Sequence, residues 1–384
     1  MPWFCTRVCG CWPIDRPTVS VQTQAMCLAL SLRRRARRAA VLLLIPVVLG
    51  LSAAGCAQLS YYRQSAAGQL DIAQRREAID ALIADAHQDT GLRERLELVR
   101  EMRAFAVSEL QLPDTGSYTQ YADLGRDYAV LALYAAPEFS TELKTWCYPV
   151  AGCAAYRGYF DRAMLERYAG ELKQQHYDIY IAAVPAYSTL GWFDDPLLNT
   201  VLDWPEPQMA GLIFHELAHQ QLYVKGDTAF NESFATAVER AGVERWLQAR
   251  HGAAAVERYR RRWRERELVV QLLADARSDL AQLYARKLPA SQLRVAKQQR
   301  LEKLRRQYRE LREGTLADGV YDALFAGTLN NARLGSVAAY HIYVDSFLAM
   351  LAEQQGDFPA FYAAAARMAA LPPDERRQSL AALM

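Results

Sequence analysis

Charge of one sign is what this 384-residue chain conspicuously lacks: 45 basic residues stand against 43 acidic ones, a net of +2. The first 55 residues hold seven Arg and one Asp, so residues 56–384 alone carry −4. That balance argues against a nucleic-acid partner, whose binding surface needs a basic excess. A long apolar run is also missing. The uncharged stretch Ala39 to Ala54 stops at Gly55-Cys56, short of the ~20 residues that span a bilayer. There is no internal repeat and no low-complexity linker. Cysteine is sparse, with seven in all. Cys5, Cys9, Cys11, Cys27 and Cys56 crowd the N-terminal region, which leaves Cys147 and Cys153 around the tight Pro149-to-Gly152 turn. No further Cys or nearby His completes a metal site with them, so the pair reads as a disulfide in an oxidising compartment, with free buried thiols as the alternative.

Histidine is scarcer still, at six, and two of the six fall in His215-Glu216-Leu217-Ala218-His219. Residues four apart share a helical face, so both imidazoles can converge on one ion, with Glu216 beside it to take a proton from water. Chance should produce this pattern in about one such chain in a hundred or fewer. The bland alternative is a buried helix with two satisfied histidines. Glu206 to Val224 has helical composition, with Pro207 confined to the first turn. A catalytic zinc takes three protein ligands and leaves one position open. The metzincin pattern would need Gly three residues after the second His and His three further on, where this chain has Leu222 and Lys225. The gluzincin pattern instead draws a Glu from the next helix. A second helical segment from Asn231 through Gln248 follows a break at Gly226-Asp227, with Asp227 or Thr228 as its cap, and it supplies Glu232 as third ligand. Small Ala218 and Ala235 permit close approach of the two helices. Glu239, seven residues beyond Glu232, shares its face; it either holds the free N–H of a ligand histidine or pairs in solvent with Arg240 or Arg245.

Phe230-Asn231-Glu232-Ser233-Phe234-Ala235-Thr236 with Glu239 resembles the Asn-Glu-Gly-Phe-Ala segment of gluzincin aminopeptidases. More closely, the chain resembles the bacterial family of predicted lipoprotein aminopeptidases. The likeness runs through Trp146 to Cys153, Tyr156 to Phe160, Ala186 to Phe193 and Ile213 to Gln220, and it covers about Leu59 to the end. It implies a zinc-dependent peptidase with His215, His219 and Glu232 as ligands and Glu216 as base. The Gly-x-Met-Glu-Asn segment that grips a substrate's amino terminus in better-known gluzincin aminopeptidases is absent. An endopeptidase or amidase acting on cell-wall peptides therefore stands as an alternative, as does a non-catalytic envelope scaffold stabilised by zinc. The resemblance also implies a downstream Tyr as oxyanion donor. Tyr340 is the first choice, with His341 and Tyr343 beside it, and core-facing aromatics are the alternative.

Residues 1–55 read as a leader outside the fold. Arg33 to Arg38 form a basic n-region before the apolar run, and Ala53-Ala54-Gly55-Cys56 resembles a bacterial lipobox. Lipidation of Cys56 would tether the remainder, 56–384, to a membrane; the alternative is an uncleaved anchor. With Ala57 rather than Asp after Cys56, resemblance to lipoprotein sorting implies the outer membrane, facing the periplasm.

The composition of 56–384 predicts an α+β fold, predominantly α-helical, with a small β-sheet beside the gluzincin-like helix pair. Two or three helices are expected over 59–112, a short strand at Asp127 to Tyr134 and another at Asp178 to Val184. Tyr187 to Phe193 could continue the latter as a sheet edge that takes a substrate strand. A charged helical pair, 256–313, is divided by Pro289. Its Arg258-to-Arg266 face is either a solvated, ion-paired surface or a site for lipid headgroups or acidic peptides. The partner expected of the whole is a peptide substrate.

Overall fold

The computed structural model describes residues 58–148, 152–186, 194–316, 318–337 and 342–383. Cys56, Tyr187 to Phe193, Tyr340 and His341 lie outside these described residues. The chain forms two units, 1–63 and 64–384. In the first, residues 58–63 are helical; everything below concerns the second.

Helices dominate, and the strands are short and gathered in small sheets, an α+β arrangement. A helix over residues 64–74 (α1) leads to β1 (Arg76–Ala78), α2 (Ile79–Ala84) and α3 (Thr90–Ser108). The next segment carries β2 (Gln120–Ala122), β3 (Val130–Pro137), β4 (Trp146–Tyr148), β5 (Gly152–Ala154), β6 (Arg157–Tyr159), α4 (Arg162–Gln174), β7 (Tyr177–Val184), β8 (Leu197–Leu198) and α5 (Asn199–Leu202). Then come α6 (Glu206–Gln221) and α7 (Thr228–His251), the long pair α8 (Ala253–Tyr284) and α9 (Ala290–Gly314), and α10 (Asp322–Ala326), α11 (Asn331–Val337), α12 (Val344–Glu353), α13 (Phe358–Ala369) and α14 (Pro373–Ala381).

One sheet orders β1-β2-β8, with β2 antiparallel to β1 and parallel to β8. A second orders β6-β3-β7, all antiparallel, and β4 pairs with β5. The two or three helices expected over 59–112 are present as α1, α2 and α3; β1 intervenes between the first two, because Arg76 to Ala78 find strand partners in Gln120 to Ala122. Pairing over that distance leaves no local trace in so short a segment. The strand expected at Asp127 to Tyr134 lies three residues later, at Val130–Pro137, paired along its full length with β7.

The main core gathers α3, α6, α7 and α12 to α14. Phe214, Phe230, Phe234, Phe347 and Phe361 are fully buried in it, and Phe234 stacks on Phe361 with ring centroids 5.6 Å apart. Tyr121 and Leu197 bring the first sheet into the same core, beside α6. The helical pair α8–α9 is closed by Pro289 at the cap of α9 and has its own smaller core around Leu280, Leu304 and Tyr308. It is fastened to the second sheet by a buried polar cluster. Lys297 Nζ donates to Asp178 Oδ2 (2.6 Å), the Asn331 backbone N–H donates to the same oxygen (2.9 Å), and Tyr284 donates to Asn331 Oδ1 (2.9 Å). The basic face of α8 is largely committed to partners: Arg260 to Glu244 (2.6 Å), Arg262 to Asp318 (3.1 Å), Arg264 to Glu257 (2.7 Å), and Arg266 stacked over Trp263 (4.6 Å). That is the ion-paired surface expected of such a segment.

Candidate metal centre

The site is made by a helical hairpin. Pro205 caps α6 and Pro207 sits in its first turn, where proline's missing N–H is harmless. The helix ends at Gln221 as Leu222 turns extended, and Gly226, at φ +84°, takes the left-handed conformation that reverses the chain. Asp227 caps α7 by accepting from the Phe230 N–H (3.0 Å), and its other oxygen takes a 2.8 Å ion pair from buried Arg376 on α14. Asn231 then clamps the returning loop from both directions, accepting from Val224 N–H (2.7 Å) and donating to Val224 C=O (2.8 Å). Because the two helices run antiparallel, the early residue of α7, Glu232, meets both histidines. Glu239, two turns on, meets the earlier one.

The Nε2 atoms of His215 and His219 face each other at 3.2 Å. Glu232 spans them, with Oε2 3.4 Å from His215 Nε2 and Oε1 3.7 Å from His219 Nε2. Ligands about 2.1 Å from a tetrahedral ion stand about 3.4 Å apart. The three observed separations bracket that value, so the residues fit a single divalent cation. Two imidazoles and a carboxylate are also the donor set that borderline metals take. The sequence placed these three residues together as ligands, and the structure brings them to one point on two different helices.

A second tier holds the first. Glu239 Oε2 lies 3.1 Å from His215 Nδ1, which directs Nε2 toward the shared point. Gly211, one turn before His215, makes room for this: a Cβ there would sit 3.2 Å from Glu239 Oε1 and 3.3 Å from its Cγ. His219 Nδ1 is buried and has no hydrogen-bond partner among the described residues. Burial pulls the basicity of His215 down, but its hydrogen bonds to the Glu232 and Glu239 carboxylates outweigh it and raise the pKa to about 10. Burial and the neighbouring His215 cation lower that of His219 to about 4. The surroundings thus favour one positive charge on the pair, an extra proton on His215 beside a neutral His219. A divalent ion would displace that proton.

Glu216 lies between the two histidines in sequence, with one carboxylate oxygen shielded from solvent, and its charge acts on His215. The same charge, after burial, helps drive the Tyr118 phenol well above its ordinary pKa, together with that of Asp195. Tyr118 was not singled out from sequence. It is buried, and its backbone sits at φ +61°, a strained conformation for a bulky side chain and one that accumulates at functional sites. Its loop is stapled to the end of α6: Gln220 donates to Ser117 Oγ (3.0 Å) and accepts from Thr115 (2.9 Å), while Tyr118 N–H reaches the Asp195 carbonyl (2.8 Å). Of the downstream donors named from sequence, Tyr343 is buried in the core with its N–H on Ser233 Oγ (3.2 Å). Tyr340 and His341 fall outside the described residues.

Away from this centre, Cys147 and Cys153 are disulfide-bonded across the β4–β5 pair, S–S 2.01 Å. A cavity of about 550 Å³ is lined by Glu239 together with Arg258, Tyr259 and Arg262 of α8.

A family model described as "Putative aminopeptidase" matches residues 60–380 of the chain. No curated protein and no solved structure matches it.

Proposed function

Since the chain belongs to this aminopeptidase family, we propose that it is a zinc-dependent peptide-bond hydrolase acting as an aminopeptidase. The observation that carries the metal-dependent part is the meeting of His215, His219 and Glu232 at separations of 3.2, 3.4 and 3.7 Å. Zinc, once bound, supplies Lewis acidity, polarising the scissile carbonyl and acidifying a water. His215, His219 and Glu232 hold it, and Glu239 keeps the His215 ring in register through Nδ1. Glu216 takes the proton of the attacking water and passes it to the leaving amine. An intact Glu216 supports catalysis over a purely structural metal site, which needs no base.

The test is Glu216→Gln in the purified chain. Metal content should match wild type while hydrolysis of aminoacyl substrates falls by ~10³-fold or more; loss of metal, or undiminished turnover, would reject the assignment. Exopeptidase action is read separately by comparing an N-acetylated peptide with its free-amine twin, where equal cleavage would point to an endopeptidase or amidase instead.

The address follows from the leader. A basic n-region, an uncharged run and Ala53-Ala54-Gly55-Cys56 support lipidation of Cys56 and a periplasm-facing membrane anchor. Cys56→Ala should release the protein from the membrane fraction of a bacterial host.

A further inference from the structure

Asn231, Glu232 and Ser233 advance about 100° per residue around α7, so Asn231 and Ser233 flank the ligand Glu232 on either side of the helix. Both flanking side chains are buried, and each holds the backbone of a different loop. Asn231 grips Val224 through both its N–H and its C=O. Ser233 accepts from the N–H of Tyr343. Immediately before each gripped residue stands a large apolar side chain left open to solvent: Tyr223, 48% exposed, and Ile342, 56% exposed. The Tyr223 ring stands edge-on to the ligand His219, centroids 6.4 Å apart.

Two buried polar anchors beside a metal ligand thus hold two loops that each carry an exposed apolar group, and the Tyr223 ring reaches the ligand His219. Burying a polar side chain without a partner is costly, so these anchors fix the loops firmly. An exposed ring gains by being covered. A phenol this open to water is not a preorganised hydrogen-bond donor of the kind that stabilises an oxyanion. The ring, not the hydroxyl, is the useful part.

Resting on the hydrolase reading above, we infer that Tyr223 and Ile342 form apolar walls for a substrate side chain flanking the cleaved bond, and so select peptides with large aliphatic or aromatic residues there. The motif Asn231-Glu232-Ser233 then does two jobs: its centre binds the ion and its flanks set the width and polarity of the cleft.

The experiment uses the full, metal-loaded chain and peptides that differ only by Leu or Ala on either side of the cleaved bond. Wild type should favour Leu. Tyr223→Ala should lower that preference about tenfold, the low end of what one methylene is worth in an apolar pocket, through KM more than kcat and with metal content retained. Tyr223→Phe should keep the preference within about twofold. An unchanged preference in Tyr223→Ala, or a loss in Tyr223→Phe equal to that in Tyr223→Ala, would overturn the inference. Binding separates this from the hydrolase reading. If no peptide is turned over, metal-loaded wild type should still bind leucine hydroxamate more tightly than glycine hydroxamate, by a margin that Tyr223→Ala reduces. Equal binding of the two would remove the apolar walls as well.

Discussion

Replacing Gly211 by alanine should strengthen the helix that carries the site and weaken the site itself. Glycine within a helix costs about 0.8–1 kcal/mol relative to alanine, so the substitution favours α6 when no metal is present. The added Cβ would lie 3.2 Å from Glu239 Oε1 and 3.3 Å from its Cγ, inside the roughly 3.5–4.0 Å at which such atoms rest comfortably. Glu239 is the mobile partner and must retreat by a few tenths of an ångström. Its contact with His215 Nδ1 is already 3.1 Å, near the long end of the roughly 2.7–3.2 Å range for a good hydrogen bond. The retreat lengthens it past that range and weakens it. Losing a partner that orients a ligand typically costs about 10–100-fold in metal affinity, and a displaced partner belongs at the low end, about tenfold or 1.4 kcal/mol. For a unit of this length 1 kcal/mol moves Tm by about 1.5 °C. In the metal-free variant the helix gain and the weakened His215–Glu239 contact oppose each other, so it should melt within about 1 °C of wild type, while the rise in Tm on adding zinc shrinks by about 2 °C. Differential scanning fluorimetry with and without zinc, beside a competitive chelator titration, reads both. Glu239→Ala sets the full scale of the loss. A Gly211→Ala protein whose zinc affinity stays within about twofold of wild type would refute the assigned role of the Glu239–His215 contact.

Other substitutions probe the supports around the centre. Asn231→Ala leaves the Val224 N–H and C=O without their partners, and should cost about 2 kcal/mol in urea denaturation and lower zinc affinity as the loop slackens; undisturbed stability would contradict the clamp. Arg376→Ala strips the buried cation from Asp227 at the start of α7 and should destabilise by about 3 kcal/mol, whereas Arg376→Lys, with one donor point instead of a fork, should recover only part. Lys297→Met removes the cation facing Asp178, whose other partner is the Asn331 N–H, and should loosen α9 from the second sheet. Faster hydrogen exchange confined to α9 and β7, with zinc affinity unaffected, is the expected pattern.

The residues that meet at the candidate metal centre were legible in the chain because their geometry is local. His215 and His219 are one turn apart, Glu232 and Glu239 two turns apart, and a six-residue break between helices suffices to bring the sets together. Glu239 was ambiguous between two roles, and its ring contact with His215 distinguishes them in the folded chain. What surrounds the candidate centre was not legible. Gln220 and Ser117 are separated by 103 residues and Arg376 and Asp227 by 149, and neither pair leaves a periodic signal. Gly211 looks like an ordinary weak spot in a helix until Glu239 is seen lying over it. Tyr118 sits between the expected helices of 59–112 and the strand expected from Asp127, and its left-handed backbone is held by hydrogen bonds to Asp195 far along the chain. The strands β1, β2 and β8 are two or three residues long, too short for alternation to show. In each case the deciding interaction joins distant parts of the chain.

The central claim is that His215, His219 and Glu232 share one cation, and X-ray absorption on the zinc-reconstituted protein tests it most directly. One equivalent of zinc per chain is predicted, with two imidazole nitrogens and oxygen donors at about 2.0–2.1 Å; His219→Ala and Glu232→Ala should each bind far less than one equivalent after dialysis. A wild-type protein that retains no metal, or that keeps its full equivalent when either ligand is removed, would contradict it.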